Sequence, residues 1–189
     1  MLKSKSEERN FSHILPNAVT FANMALGVIA IYISMDSSSN NIKTASVLIL
    51  IAGAADKLDG YVARKLGATS KFGKELDSLC DLVSFGVAPV LVWWNISIES
   101  LDIAMALASL LYIGAGAFRL ARFNISKDEQ YIVGLPITIA GMVMVGKCLL
   151  DISYRLTFIN NGVFYGENLV IAVLLSVMMV SNFKVKKPL

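Results

Sequence analysis

Four aspartates, Asp56, Asp59, Asp77 and Asp81, fall in apolar stretches of the chain. An acidic side chain at the centre of a membrane helix costs about 2.5–3.5 kcal/mol on the insertion scale, so carboxylates in such places mark functional sites. Asp56 and Asp59 are three residues apart and Asp77 and Asp81 four apart, so each pair shares a helix face. The two segments form an antiparallel hairpin about Gly67, in which residues at equal depth have position numbers of constant sum. That arithmetic sets Asp56 level with Asp81 and Asp59 level with Asp77. Four converging negative charges need neutralising, by protons or by cations. Oxygen-only ligands suit Mg²⁺ or Mn²⁺, and also Ca²⁺, and facing carboxylate pairs have room for two ions. Two such ions can clamp the attacking and leaving oxygens of a phosphoryl displacement. The competing use of the aspartates is internal ion pairing with Lys57, Arg64 and Lys74.

The elements that must position these residues follow from composition. The chain has 189 residues, 56% of them hydrophobic and only 16% charged. Its mean hydropathy is +0.64. Soluble domains carry roughly 25% charged residues, so an ordinary soluble domain is excluded. A net charge of +3 without a basic helix gives no nucleic-acid partner, and two cysteines, Cys80 and Cys148, make no disulfide scaffold. The class that remains is all-α: a polytopic membrane protein in one domain over residues 1–189. Six segments reach the roughly 20 apolar residues a crossing needs: Leu15–Met35, Ile42–Arg64, Phe72–Asn95, Leu101–Phe123, Gly134–Ile152 and the shorter Asn168–Phe183. The first is too long for a signal-peptide core and lacks a small-residue cleavage site. Residues 1–13, with Lys3, Lys5 and Arg9, read as an interfacial lead-in, and His13 as a headgroup-level surface residue.

Cations orient the bundle. Both termini and the two loops on their side carry thirteen Lys and Arg, against only Lys43 and Arg155 opposite. The positive-inside rule makes the richer side cytoplasmic, and the aspartates lie near it. Asp36–Asn41 and Leu156–Gly166 are then outside loops, and Trp93 and Trp94 mark the outer interface. Gly53, Ala54, Ala55, Gly60 and Ala63 allow close helix approach. The Arg64–Gly73 loop mixes cations, hydroxyls and glycines, which suits a phosphate and equally a solvated loop.

Asp56, Asp59, Gly60, Ala63, Arg64, Gly73, Asp77 and Asp81 fit the pattern D-x2-D-G-x2-A-R-x8-G-x3-D-x3-D. This resembles the signature of the CDP-alcohol phosphotransferases, membrane enzymes with six spans and a cytoplasmic active site, many of them homodimers. The resemblance implies transfer of a substituted phosphate from a CDP-linked lipid to an alcohol, with release of CMP. It makes Asp56, Asp59 and Asp77 metal ligands, and Asp81 the general base and a contact of the second ion. It assigns Gly60, Arg64 and Ser70 to the CDP moiety, and Thr20 to its pyrophosphate side.

Three shorter segments resemble the branch of that family that uses serine: Leu15-Pro16-Asn17-Ala-Val19-Thr20, Phe118-Arg119-Leu-Ala-Arg122-Phe123-Asn124 and Gly134-Leu135-Pro136-Ile137. Serine brings a carboxylate, and guanidinium groups grip carboxylates bidentately. Arg119 and Arg122 are therefore candidate serine contacts, with Asn124 as a helper. Membrane anchoring is the alternative role for both arginines. The expected product is phosphatidylserine or its archaeal ether counterpart. Glycerol 3-phosphate and inositol phosphate are the rival acceptors, although each would call for more cations. A divalent-cation transporter is the rival from another class, but Val47–Ile51 and Val87–Val92 offer no polar path outward. Gly114, Gly116, Gly141 and Gly146 suit close helix contacts, possible at a dimer face, and Cys80 suits a small apolar filler. Lys147 and Asp151, four residues apart, are expected to pair with no chemistry attached.

Overall fold

The computed structural model describes residues 2–65, 70–97, 103–126, 131–155 and 161–186, with side chains over 17–57, 70–95, 103–126, 131–153 and 166–185. Among them the chain is a helical bundle. Its helices are α1 (Leu2–Ser34), α2 (Ser39–Lys65), α3 (Lys71–Asp81), α4 (Ala88–Ser97), α5 (Ile103–Ile125), α6 (Ile137–Arg155) and α7 (Asn161–Val180). A π-helical turn, Leu82–Val87, joins α3 to α4 in one continuous rod. Three helical stretches are long and apolar enough to cross a membrane: Asn17–Ser34, Lys71–Asn95 and Ile103–Ile125, with a shorter apolar helix at Gly166–Val180. Large apolar side chains such as Leu107, Leu110, Val170 and Val177 are exposed along the outside of the bundle, as expected where the surrounding solvent is hydrocarbon.

The expected segments map onto these elements with shifted ends. The segment expected as an interfacial lead-in is helical from Leu2 and continuous with the first apolar segment in α1. α7 begins at Asn161, inside the segment read as an outside loop. Two short strands were not anticipated: β1 (Tyr131–Val133) and β2 (Lys184–Lys186) pair antiparallel and join the segment after α5 to the segment after α7. Gly134 follows β1 with φ +71°, and a Cβ there would lie 2.5 Å from the Met179 carbonyl oxygen. Glycine is required on both counts.

The core corrects the reading of the tryptophans. Trp93 is fully buried and Trp94 half-buried, because α4 is wrapped by α1, α2 and α6. The glycines divide into two kinds. A Cβ on Gly116 would lie 2.6 Å from Ile137 Cδ1, and one on Gly141 2.9 Å from Phe85 Cβ, so both are close-packing sites. Gly114 and Gly146 have no atom within 4 Å of such a Cβ. Cys80 is buried, as a small filler should be.

The π turn has an identifiable cause. Pro89 has no backbone N–H, so it cannot satisfy the carbonyl one turn back. The buried Tyr112 hydroxyl on α5 donates to that carbonyl, Phe85 O, at 3.0 Å. Ser84 Oγ donates to Asn23 O of α1 at 3.2 Å. The Ala88 N–H reaches back five residues to Val83 O, which is the π register. Such turns concentrate at functional sites, and this one begins at the residue after Asp81.

Candidate active site

Asp56 comes from α2, and Asp77 and Asp81 come from successive turns of α3. One carboxylate oxygen of each lies within 4.8 Å of the others. Asp81 is buried, and its Oδ1 has no hydrogen-bond partner among the described residues. A buried carboxylate oxygen without a partner is costly, and its natural ligand in an all-oxygen cluster is a hard divalent cation. The donor set thus fits such an ion. The hairpin arithmetic set Asp56 level with Asp81, and these two do meet. The side chains of Asp59, Gly60 and Arg64 lie outside those described, although their backbone continues α2.

α3 starts from a capped end. Ser70 is its N-cap, and Ser70 Oγ accepts from the Gly73 N–H at 2.9 Å. A Cβ on Gly73 would come within 3.1 Å of both Ser70 Oγ and Asn17 Oδ1 of α1, so glycine lets the two helices meet there. Thr20, one turn along α1 from Asn17, is buried.

The two arginines of α5 occupy different surroundings. Arg119 is buried, its Nε has no partner among the described residues, and charge attraction links it to Asp81 and Asp56. Its guanidinium carbon is 5.7 Å from the centre of the Phe123 ring. Arg122 turns to the end of α7. It donates to Val180 O at 2.9 Å, Ser181 O at 3.1 Å, Met179 O at 3.3 Å, Val133 O at 3.4 Å and Asn182 Oδ1 at 3.0 Å. Those bonds close the carbonyl end of α7, where a cation also complements the helix dipole.

Lys74 is engaged in the same way. Its ammonium reaches Phe123 O at 3.5 Å and Asn124 O at 3.4 Å, and lies 4.9 Å from the centre of the Phe123 ring. Asn124 Nδ2 donates to Ser78 Oγ at 2.9 Å and Glu75 Oε2 at 3.0 Å. These contacts tie the end of α5 to the helix that carries Asp77. Among the described residues no ion pair within 4.0 Å joins Lys57 or Lys74 to the aspartates; the ion pairs described are those of Lys147. Lys147 holds Asp151 as anticipated, and also Glu167 of α7 at 3.3 Å.

One contributor escaped the sequence reading. Thr138 Oγ1, near the start of α6, donates to Asp56 Oδ2 at 3.3 Å. Thr138 is buried. Its only sequence signal was its place directly after Gly134-Leu135-Pro136-Ile137. Gly53 of α2, where a Cβ would lie 2.8 Å from Met142 Sδ of α6, lets the two helices come near enough for this bond to form.

The fold and the site define a class: a helical, membrane-compatible bundle with a cluster of three carboxylates where α2 meets α3. Comparison with known proteins gives the family. Residues 13–181 match the CDP-alcohol phosphatidyltransferase family, and the chain belongs to it. It is 38% identical over 169 residues to the CDP-diacylglycerol–serine O-phosphatidyltransferase of Methanocaldococcus jannaschii, covering 89% of this chain and 72% of that protein. The protein of the same name from Bacillus subtilis is 36% identical over 142 residues, or 75% of this chain and 77% of its own length. The archaetidylserine synthase of Methanothermobacter thermautotrophicus is 34% identical over 175 residues, or 90% and 68%.

Proposed function

We propose that this protein transfers the phosphatidyl or archaetidyl group of a CDP-linked lipid to the hydroxyl of L-serine, releasing CMP. The observation that carries the reading is the Asp56–Asp77–Asp81 cluster, with oxygens within 4.8 Å of one another, in a chain whose family relatives are named serine transferases. The whole chain acts as one domain of six spans, as a homodimer. Both termini and the site face the cytoplasm in the cell membrane. Its charge asymmetry and the apolar outer surface support this placement.

Asp56, Asp59, Asp77 and Asp81 hold Mg²⁺ or Mn²⁺, two ions in all. When bound, these ions neutralise the pyrophosphate and the charge that develops on the leaving CMP. Ser70, Gly60 and Arg64 bind the CDP moiety, and Thr20 its pyrophosphate side. Asp81 accepts the serine hydroxyl proton as the oxygen attacks the phosphorus bonded to the lipid alcohol. A positioned base of this kind contributes roughly 10²–10⁴-fold. The P–O bond to CMP breaks as the new P–O bond forms, so the displacement is a single in-line step. Arg119, buried beside Asp81, grips the serine carboxylate. Arg122, the other candidate serine contact, spends its donors on the carbonyl end of α7 and is assigned to holding that helix end instead.

The test is CMP release from purified protein in detergent with CDP-lipid and, separately, serine, glycerol 3-phosphate or inositol phosphate. Release with serine alone, abolished by chelator and restored by Mg²⁺ or Mn²⁺, is the expected result. Release with a phosphorylated alcohol in place of serine overturns the acceptor. Full activity after chelation overturns the metal reading.

A further inference from the structure

Asn23 lies on α1. It is only 2% exposed, and neither Oδ1 nor Nδ2 has a hydrogen-bond partner among the described residues. Its depth is fixed by close contacts on either side. Asn17 meets Gly73 at the start of α3, and a Cβ on Gly27 would lie 2.7 Å from Ser84 Oγ. α1 and the α3–α4 rod run in the same direction, so Asn23 comes level with Cys80 and Asp81. The bond from Ser84 Oγ to Asn23 O at 3.2 Å holds it there. α1 packs against both α2 and α3, the two helices that carry the aspartates. Among the described residues Asp81 Oδ1 at the same level is also without a hydrogen-bond partner, as is Nε of Arg119.

A buried primary amide with both ends unsatisfied is costly, and the group that satisfies it must offer an acceptor and a donor together. A phosphate without its metal offers acceptors alone and would leave Oδ1 unpaired. An α-amino acid offers both, a carboxylate for Nδ2 and an ammonium for Oδ1. Thr20, assigned to the pyrophosphate side of the donor, lies three residues before Asn23 on α1, so Asn23 sits one turn deeper along the helix. We infer that Asn23 is a specificity residue for the acceptor. It recognises the zwitterionic α-amino-acid group at the level of Asp81, with α1 supplying Asn23 and α5 supplying Arg119, two helices that both contact α3. This inference rests on the serine-transferase reading.

The experiment measures CMP release by the metal-loaded protein with serine and CDP-lipid varied in turn, for wild type, Asn23→Ala and the isosteric Asn23→Asp. Both variants should raise the KM for serine tenfold or more and leave that for CDP-lipid within about twofold. Asn23→Asp should be the weaker binder, because it replaces the donor to the carboxylate with a negative charge. Wild type should strongly prefer serine to 3-hydroxypropionate, which lacks the ammonium, and to ethanolamine, which lacks the carboxylate. Asn23→Ala should narrow both preferences. Serine binding without lipid donor, followed by NMR titration, should weaken in parallel. An unchanged serine KM in either variant that keeps its CDP-lipid KM overturns the inference, as does a rise confined to CDP-lipid. Wild-type protein that ignores serine and uses a phosphorylated alcohol overturns the reading beneath it, and the wild-type acceptor profile alone tells the two failures apart.

Discussion

Asp56 has two neighbours with different duties. Asp81 shares the cluster with it, whereas Thr138 orients it from α6 by a 3.3 Å hydrogen bond. Groups that hydrogen-bond a metal ligand fix its orientation, and removing one typically weakens metal affinity 10–100-fold. Thr138→Val keeps the shape and loses the hydroxyl, so Mn²⁺ binding measured by electron paramagnetic resonance should weaken by about that factor. Thr138→Ser should restore it. Equal Mn²⁺ affinity in all three proteins would return Thr138 to packing. Asp81→Asn tests the base: turnover should fall by about 10²-fold or more while CDP-lipid still binds. Metal binding measured on the same variant separates loss of the base from loss of a ligand.

At the scale of the element, α5 carries two arginines with opposite assignments. Arg119→Lys should raise the KM for serine, because lysine keeps a charge but not the planar fork, and should leave the KM for CDP-lipid nearly unchanged. Arg122→Lys should instead lower the melting temperature in detergent and leave the serine KM alone, since its bonds run to the carbonyl end of α7. The reverse pattern would exchange their roles. The α3–α4 rod depends on a substitution between elements: the Tyr112 hydroxyl stands in for the N–H that Pro89 lacks. Tyr112→Phe leaves a buried carbonyl unpaired, a loss of about 1–3 kcal/mol. Pro89→Ala returns an N–H to the rod, so Pro89→Ala with Tyr112→Phe should melt above Tyr112→Phe alone. A double variant that melts below both single variants would sink this account of the π turn.

For the whole molecule, the proposed orientation rests on thirteen cations on one side against two on the other. A single cysteine placed within 66–69 should react with an impermeant thiol reagent only from the cytoplasmic side, in a background with Cys80 and Cys148 replaced. One placed within Asp36–Asn41 should react only from outside. Labelling of both from one side would break the six-span arrangement, and exchanged labelling would invert it.

The aspartate cluster was legible in the chain because helix periodicity and hairpin depth are local rules: a spacing of three or four residues and a constant sum were enough to bring Asp56 to Asp81. The helical class was legible because a backbone in lipid is satisfied only by helices or closed barrels, and long apolar runs without the alternation of barrel strands leave the helix. Trp93 was misread, since burial depends on which helices pack against α4 and no local pattern encodes that. Arg119 and Arg122 looked equivalent by type and spacing. The fold separated them, because α3 lies on one side of α5 and the carbonyl end of α7 on the other. Thr138 and Asn23 were silent for the same reason. A hydroxyl or an amide in an apolar helix becomes part of a site only through what tertiary packing sets opposite it, and here that packing depends on close approaches at Gly27 for Asn23 and Gly53 for Thr138.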